Sequence, residues 1–106
     1  MKFQIELTER ADRDLRNIFL YIALDLGSSK NAEKQVNRLW TAIHSLNELP
    51  ERYRRYEKEP WYSRGMRIFP IDNYVVLYIP YTEEQIVRIV MIMYSGRDIS
   101  EQLNMV

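Results

Sequence analysis

The chain contains no cysteine, which removes disulfides, thiolate zinc sites and cysteine nucleophiles together. His44 is its single histidine, so histidine clusters and a Ser-His-Asp arrangement go with it. Three glycines and four prolines in 106 residues leave no linker or low-complexity tract. No stretch approaches the roughly 20 apolar residues of a membrane helix. The N-terminal MKFQIELTERADRD mixes both signs of charge and lacks an apolar run of signal-peptide length, so the expected location is the cytoplasm. No metal or organic cofactor is implied, because the ligand sets are missing. Net charge is lacking too: fifteen basic and fifteen acidic side chains cancel, unlike the strongly basic balance of an avid nucleic-acid binder.

What is present is a globular composition, 46% hydrophobic and 28% charged, of a length that suits one domain over residues 1–106. Its stability must come from the apolar core alone. The zero net charge hides an uneven distribution. Residues 1–50 carry seven basic and seven acidic side chains, 51–67 carry six and three, and 68–106 carry two and five. The middle segment is therefore a local basic cluster at +3, able to attract phosphate.

The periodicities place the elements. Phe3, Ile5 and Leu7 alternate with Lys2, Gln4 and Glu6, the pattern of a half-buried strand. Thr8 stands as N-cap to a helix whose apolar stripe is Ala11, Leu15, Ile18, Phe19, Ile22 and Leu26, stopped by Gly27. Ser28, Ser29 and Asn31 form a capping turn before a second helix on Ala32, Val36, Leu39, Trp40, Ile43 and Leu46, expected to end near Leu49 because Pro50 comes next. Residues 50–64 have no clean period and read as an irregular surface segment. Strands are expected near 65–71, 73–80 and 85–94, with turns at Asp72-Asn73 and Thr82-Glu83-Glu84. Gly96 breaks the last strand, and residues 97–104 are compatible with a short terminal helix.

The order predicts an α+β domain. An N-terminal strand and an antiparallel helix hairpin precede a three-stranded antiparallel meander, giving one mostly antiparallel sheet with the helices on one face.

Several pieces of the chain together resemble a known family. They are ADRDLRNIFLYIALDLG, the A-x-x-x-V-x-x-L-x-x-x-I-x-x-L run at 32–46, Pro50, Pro60-Trp61, RGMRIFPIDNYVVLY at 64–78 and IVRIVMIMYSGRDI at 86–99. In that order they resemble the RelE/ParE toxin superfamily of bacterial type II toxin-antitoxin (plasmid stabilisation) modules. The ParE branch is the nearer match, through Asp14, Leu15, Ile18, Tyr21 and Ile22, the strand from Arg67, the Asn73, Tyr74 and Tyr78 pattern, and Arg97-Asp98. The resemblance implies a growth-inhibiting toxin that forms a hetero-oligomer with a cognate antitoxin. ParE-like members poison DNA gyrase, whereas RelE-like members cut mRNA in the ribosomal A site.

The two activities need different chemistry. Attack by a 2′-hydroxyl requires a base, cations for the phosphorane charge and an acid for the leaving oxygen. If the chain were a nuclease, Arg67 and Arg97 would be the catalytic cations, Tyr94 an acid, and Glu57 or Glu59 a base. Yet Val75 stands where the nuclease branch usually places an arginine, and no tyrosine or histidine occurs after Arg97. That departure favours a toxin acting by protein binding, with ribosome-dependent mRNA cleavage as the alternative and an inactive or orphan toxin-fold domain as the third reading.

Arg52, Arg54, Arg55, Lys58, Arg64 and Arg88 are the candidate contacts with a target protein or nucleic acid. Four of them interleave with Tyr53, Tyr56, Trp61 and Tyr62, a pattern that suits stacking and phosphate binding or the rim of a protein interface. Each has a plainer explanation. Arg67 and Arg88 could lie on the solvent face of a strand, Arg88 could pair with Glu6, and Arg97-Asp98 could anchor the last segment. Trp61 could cover a sheet edge, His44 reads as a partly exposed structural residue, and Met91 and Met93 read as core unless an antitoxin fills them.

Overall fold

A computed structural model describes residues 2–104. The four strands are β1 (Gln4–Leu7), β2 (Arg67–Ile71), β3 (Tyr74–Tyr81) and β4 (Ile86–Tyr94), and the helices are α1 (Glu9–Leu20), α2 (Ser29–His44) and α3 (Ile99–Leu103). They form one sheet in the order β1-β4-β3-β2, parallel only between β1 and β4. The expected α+β order is therefore present, with α1 and α2 packed on one face.

α1 begins where its cap requires. Thr8 Oγ1 accepts the Ala11 N–H at 3.0 Å and donates to the Val90 carbonyl at 2.7 Å, so one hydroxyl caps the helix and ties it to β4. Beyond Leu20 the helix does not run straight to Gly27. Residues Tyr21–Asp25 form a π turn in which Leu26 N–H bonds to the Tyr21 carbonyl at 3.1 Å. Bonding five residues back adds a residue to the turn and rotates the side chains beyond it. Leu26, expected on the buried stripe, is 61% exposed as a result, beside exposed Leu20, Tyr21 and Leu24. Gly27 then takes φ 72°, the left-handed stop expected of it.

α2 is capped by Ser28, whose Oγ accepts the Asn31 N–H at 3.1 Å. It ends at His44, earlier than Leu49, and tightens into a 3-10 turn at Ser45–Asn47. Ala32, Leu39, Ile43 and Leu46 are fully buried as the spacing predicts, each larger one contributing on the order of 1.5–3 kcal/mol. Trp40 lies on the rim instead, its ring edge-on to exposed His44 at 4.8 Å.

The strands alternate between two apolar layers. Phe69, Val76, Tyr78, Val87, Ile89 and Ile92 face the helices, while Ile68, Val75, Leu77, Ile79, Met91 and Met93 face away from them. A bulge in β4 changes the count: Leu77 pairs with Met91 and Tyr78 with Ile89, so Val90 is the extra residue and joins Met91 on the far face.

Neither layer is open to solvent. The far face is covered by Tyr56, Met66 and Leu103, with Trp61 and Ile99 packed against them. Here the structure corrects the expectation that residues 50–64 lie irregularly on the surface. The Arg54 carbonyl accepts the Ile68 N–H at 3.0 Å and Tyr56 N–H donates to the Met66 carbonyl at 2.8 Å, so the segment runs antiparallel along the β2 edge. Tyr53 stacks on Phe69 on the helix side, at 3.9 Å between ring centroids, while Tyr56 turns under the sheet. The signal is the alternation of aromatics around Arg54-Arg55, masked by the surrounding charge. Pro70 falls at the next outward-facing position of β2 and offers no N–H there, which blunts the rest of the edge.

At the opposite side β1 pairs with β4 only as far as Ile89. Asp14 on α1 takes over from it: Oδ2 accepts the Ile92 N–H at 2.9 Å and Oδ1 accepts from Arg10 Nε at 2.9 Å. Asp14→Ala leaves that strand N–H without its acceptor and is expected to cost about 1–3 kcal/mol. Asp12→Ala, which removes only an exposed pair with Arg16, should stay within about 0.5 kcal/mol. Urea unfolding of the two variants checks the difference; equal losses would show that Asp14 does not seal the strand.

Candidate functional site

The side chains singled out from the sequence separate into anchored and free groups. Arg67 leaves β2 on the helix side, paired with Tyr78, and its side chain is 14% exposed. Nη1 donates to the Tyr53 carbonyl at 2.6 Å and the Glu51 carbonyl at 3.0 Å, and Nη2 lies 3.6 Å from the Glu51 carboxylate. Nε is buried with no partner among the described residues. Arg67 therefore holds the chain after α2 against the sheet.

Arg52 belongs to the same clamp. Its Nη1 donates to the Glu48 carbonyl at 2.6 Å and its Nη2 to Ser45 Oγ at 2.9 Å, a cation placed on the carbonyl end of α2 and its 3-10 extension. Between the two arginines Tyr78 is fully buried and its hydroxyl donates to the Pro50 carbonyl at 2.6 Å. Burial pushes its phenol up to about 12, with Arg67 and Arg52 pulling the other way. This knot has little sequence signal beyond the tyrosine itself, because most of its acceptors are backbone carbonyls.

Arg88 pairs with Glu6 across the β1–β4 register at 3.2 Å and lies over the Tyr81 ring at 5.1 Å. Arg97 is exposed in the turn after β4, its N–H bonded to the Tyr94 carbonyl at 3.1 Å and its side chain without a partner among the described residues. Tyr94 is 54% exposed and meets Tyr74 edge-on at 6.0 Å. A Cβ at position 96 would sit 2.8 Å from Cε2 of this exposed ring, so a side chain there would require the Tyr94 ring to shift.

Arg67 and the Arg97–Tyr94 pair are not brought together. Their β3 partners, Tyr78 and Tyr74, are four residues apart, about 13 Å at ordinary strand rise. Glu59 accepts from the Ser63 N–H at 2.6 Å and from its hydroxyl, contacts that hold its carboxyl below the usual range and make it a weaker base. Glu57 is exposed. Val75, where the nuclease resemblance calls for an arginine, is 8% exposed in the far-face apolar layer beside Met91 and Met93.

The remaining cations make no ion pair among the described residues. Arg55 lies over the Tyr62 ring at 5.3 Å and Arg64 over the Trp61 ring at 5.0 Å. Lys58 Nζ donates to Ser100 Oγ at 3.1 Å, itself 2.9 Å from the Tyr56 hydroxyl, which brings the loop to the first turn of α3. Arg54 is exposed. Among the described residues no group of three or more His, Asp or Glu could hold a metal ion, and no helix is long and apolar enough to cross a membrane.

A second feature escaped the sequence. An open groove of about 510 Å³ runs between α2 and β2, lined by Arg38, Thr41, Phe69 and Ile71 among others. Its Arg38 is held by Asp72, which accepts from Nε at 2.8 Å and Nη2 at 2.7 Å and from Gln35 at 3.0 Å. Those bonds, Arg38 first and Gln35 second, draw the Asp72 carboxyl down to about 2 from 3.8. A depressed carboxyl stabilises the fold above its unfolded value and loses that contribution as pH falls toward 2. Stability measured by urea unfolding should therefore decline across that window, and Asp72→Asn should flatten the decline; an unchanged slope would show that the contact does not persist in solution.

The comparisons with known proteins agree with the fold. The chain matches the family described as the ParE toxin of the type II toxin-antitoxin system, parDE, over residues 5–99. The chromosomal ParDE toxin-antitoxin system of P. aeruginosa has a similar chain at 17% identity and TM-score 0.72, covering 88% of this chain and 96% of that one. A chain of the RelBE2 toxin-antitoxin complex of Mycobacterium tuberculosis is similar at 19% identity and TM-score 0.62, covering 89% and 99%. A doubly substituted free RelE toxin of E. coli is similar at 16% identity and TM-score 0.64, covering 98% and 93%. Identities this low show a shared fold. Among curated protein sequences there is no significant match. With the match running from within β1 to the start of α3, the chain belongs to the ParE toxin family of type II toxin-antitoxin systems.

Proposed function

We propose that the chain is a ParE-like toxin that arrests growth by binding a protein, DNA gyrase being the target in the ParE-like case, and that a cognate antitoxin neutralises it in a cytoplasmic hetero-oligomer. The observation that carries this reading is the far face of the sheet. The position at which a nuclease arginine is expected is Val75, sealed under Tyr56, Met66 and Leu103. General acid-base cleavage needs a base, an acid and cations converging on one phosphate. Arg67 is committed to the Glu51 and Tyr53 carbonyls, and Arg97 and Tyr94 stand at the other end of β3.

One observation favours mRNA cleavage instead. Arg97 and Tyr94 are both exposed in one backbone turn at the end of β4, so a cation and a phenol stand close in the chain there. An inactive or orphan toxin would share the fold and lack both activities.

Supercoiling assays with purified gyrase and purified toxin should show inhibition that rises with toxin concentration. Full activity at a large toxin excess would sink the gyrase version. Primer extension on mRNA from cells expressing the toxin should show no new ends at A-site codons; ends that arise there, and vanish in Arg97→Ala, would establish the nuclease reading. Normal growth on induction, with both assays negative, would leave the orphan domain.

A further inference from the structure

We infer that the loop from Arg54 to Arg64 is a docking platform for an acidic segment of a protein partner, with the guanidinium edges of Arg55 and Arg64 receiving its carboxylates. The inference rests on the protein-binding reading above and adds the chemistry of the partner to it.

Unpaired charge comes first. The ion pairs among the described residues engage Arg10, Arg16, Arg38, Arg67 and Arg88, and none of them involves Arg54, Arg55, Lys58 or Arg64. The segment that holds these four carries a +3 excess in a chain whose net charge is zero. Of the loop's two acids, Glu59 is bound to Ser63, and Glu57 is exposed with no ion pair among the described residues.

Geometry then selects the ligand. Arg55 and Arg64 lie over the faces of Tyr62 and Trp61 at 5.3 and 5.0 Å. Each guanidinium takes one face of its ring, which leaves less aromatic surface for the base stacking that single-stranded RNA uses. A guanidinium placed over a ring still presents N–H groups at its edge, a fork that a carboxylate or a phosphate can fill, with Arg55 Nη1 partly used by the Tyr62 carbonyl at 3.4 Å. Residues 68–106 carry two basic and five acidic side chains, a balance that disfavours a long polyanion and tolerates a short acidic segment.

The platform is also ordered before binding. Tyr62 N–H bonds to the Lys58 carbonyl at 3.0 Å, Gly65 N–H to the Tyr62 carbonyl at 3.0 Å and Met66 N–H to the Trp61 carbonyl at 3.1 Å. Trp61 packs against the far-face core, so the ring beneath Arg64 has a fixed seat. Arginines held this way lose less side-chain freedom when a partner arrives.

The test uses the full chain and a short fluorescein-labelled peptide of alternating Glu and Gly, with binding read by fluorescence anisotropy in low salt. The peptide should bind, and an oligouridylate of equal charge should bind less tightly. The double variant Arg55→Ala/Arg64→Ala should lose about tenfold or more in affinity, as expected for removal of charge-assisted contacts. Arg16→Ala, on an exposed pair of α1, should bind as the parent does. Arg55→Lys/Arg64→Lys keeps the charge and the fold and removes the fork, so it should fall between the two; it decides the matter if circular dichroism shows the alanine variant unfolded. No peptide binding, tighter oligouridylate binding, or parent-like affinity in the lysine variant each overturns the inference. Neither gyrase nor ribosomes are present, so failure here leaves gyrase inhibition standing, and a failed gyrase assay leaves this result standing.

Discussion

The structure depends on how the backbone of β4 is satisfied. This strand is central, pairing with β3 along its whole length and with β1 over its first half. Buried strand amides without acceptors are costly, so something must replace β1 after Ile89. α1 does so through Thr8 at the Val90 carbonyl and Asp14 at the Ile92 N–H. The helix direction is set by that substitution, because a donor at its cap and an acceptor further along it both reach the same strand. With α1 set, its hairpin partner α2 falls across the helix-side layer, and the bulge at Val90 gives the far face an extra apolar residue.

The arginines divide along the same logic of unsatisfied carbonyls. Helix ends and irregular segments expose carbonyl groups that no ladder bond reaches. Arg52 serves the end of α2, and Arg67 serves the chain at Glu51 and Tyr53. Both sit where a strand and a helix terminus meet, so their charge is used in architecture. Arg55 and Arg64 of the 54–64 loop meet no such carbonyls, apart from a 3.4 Å contact of Arg55 with Tyr62, and rest on aromatic rings instead.

Much of this fold is legible from spacing. The alternation at Phe3, Ile5 and Leu7, the stripes of both helices and the three later strands all reflect periodicity imposed by one buried face, which a single sequence records. The misses have a common physical cause. Straight helical geometry buries Leu26, and a π turn is a backbone event that no side chain announces. The edge ribbon at 54–56 is hidden because its pairing uses main-chain groups, while its side chains are mostly charged. The placement of Arg67 is illegible for the same reason: its partners are the carbonyls of Glu51 and Tyr53.

By composition alone the arginine-bearing strands suit a surface made for phosphate. What decides their character is which face each residue takes, and that is set by the parity of the strand. Arg67 pairs with Tyr78 on the helix side, and Val75 lies on the other. An arginine introduced at Val75 would therefore enter an apolar layer closed by Tyr56, Met66 and Leu103, with no carboxylate in that layer to pair it. Burying such a charge is strongly unfavourable. A cleavage site on this face would thus require the 54–66 segment and α3 to be arranged differently, so the apolar residue at position 75 and the closed cover are one property, and changing either without the other destabilises the fold.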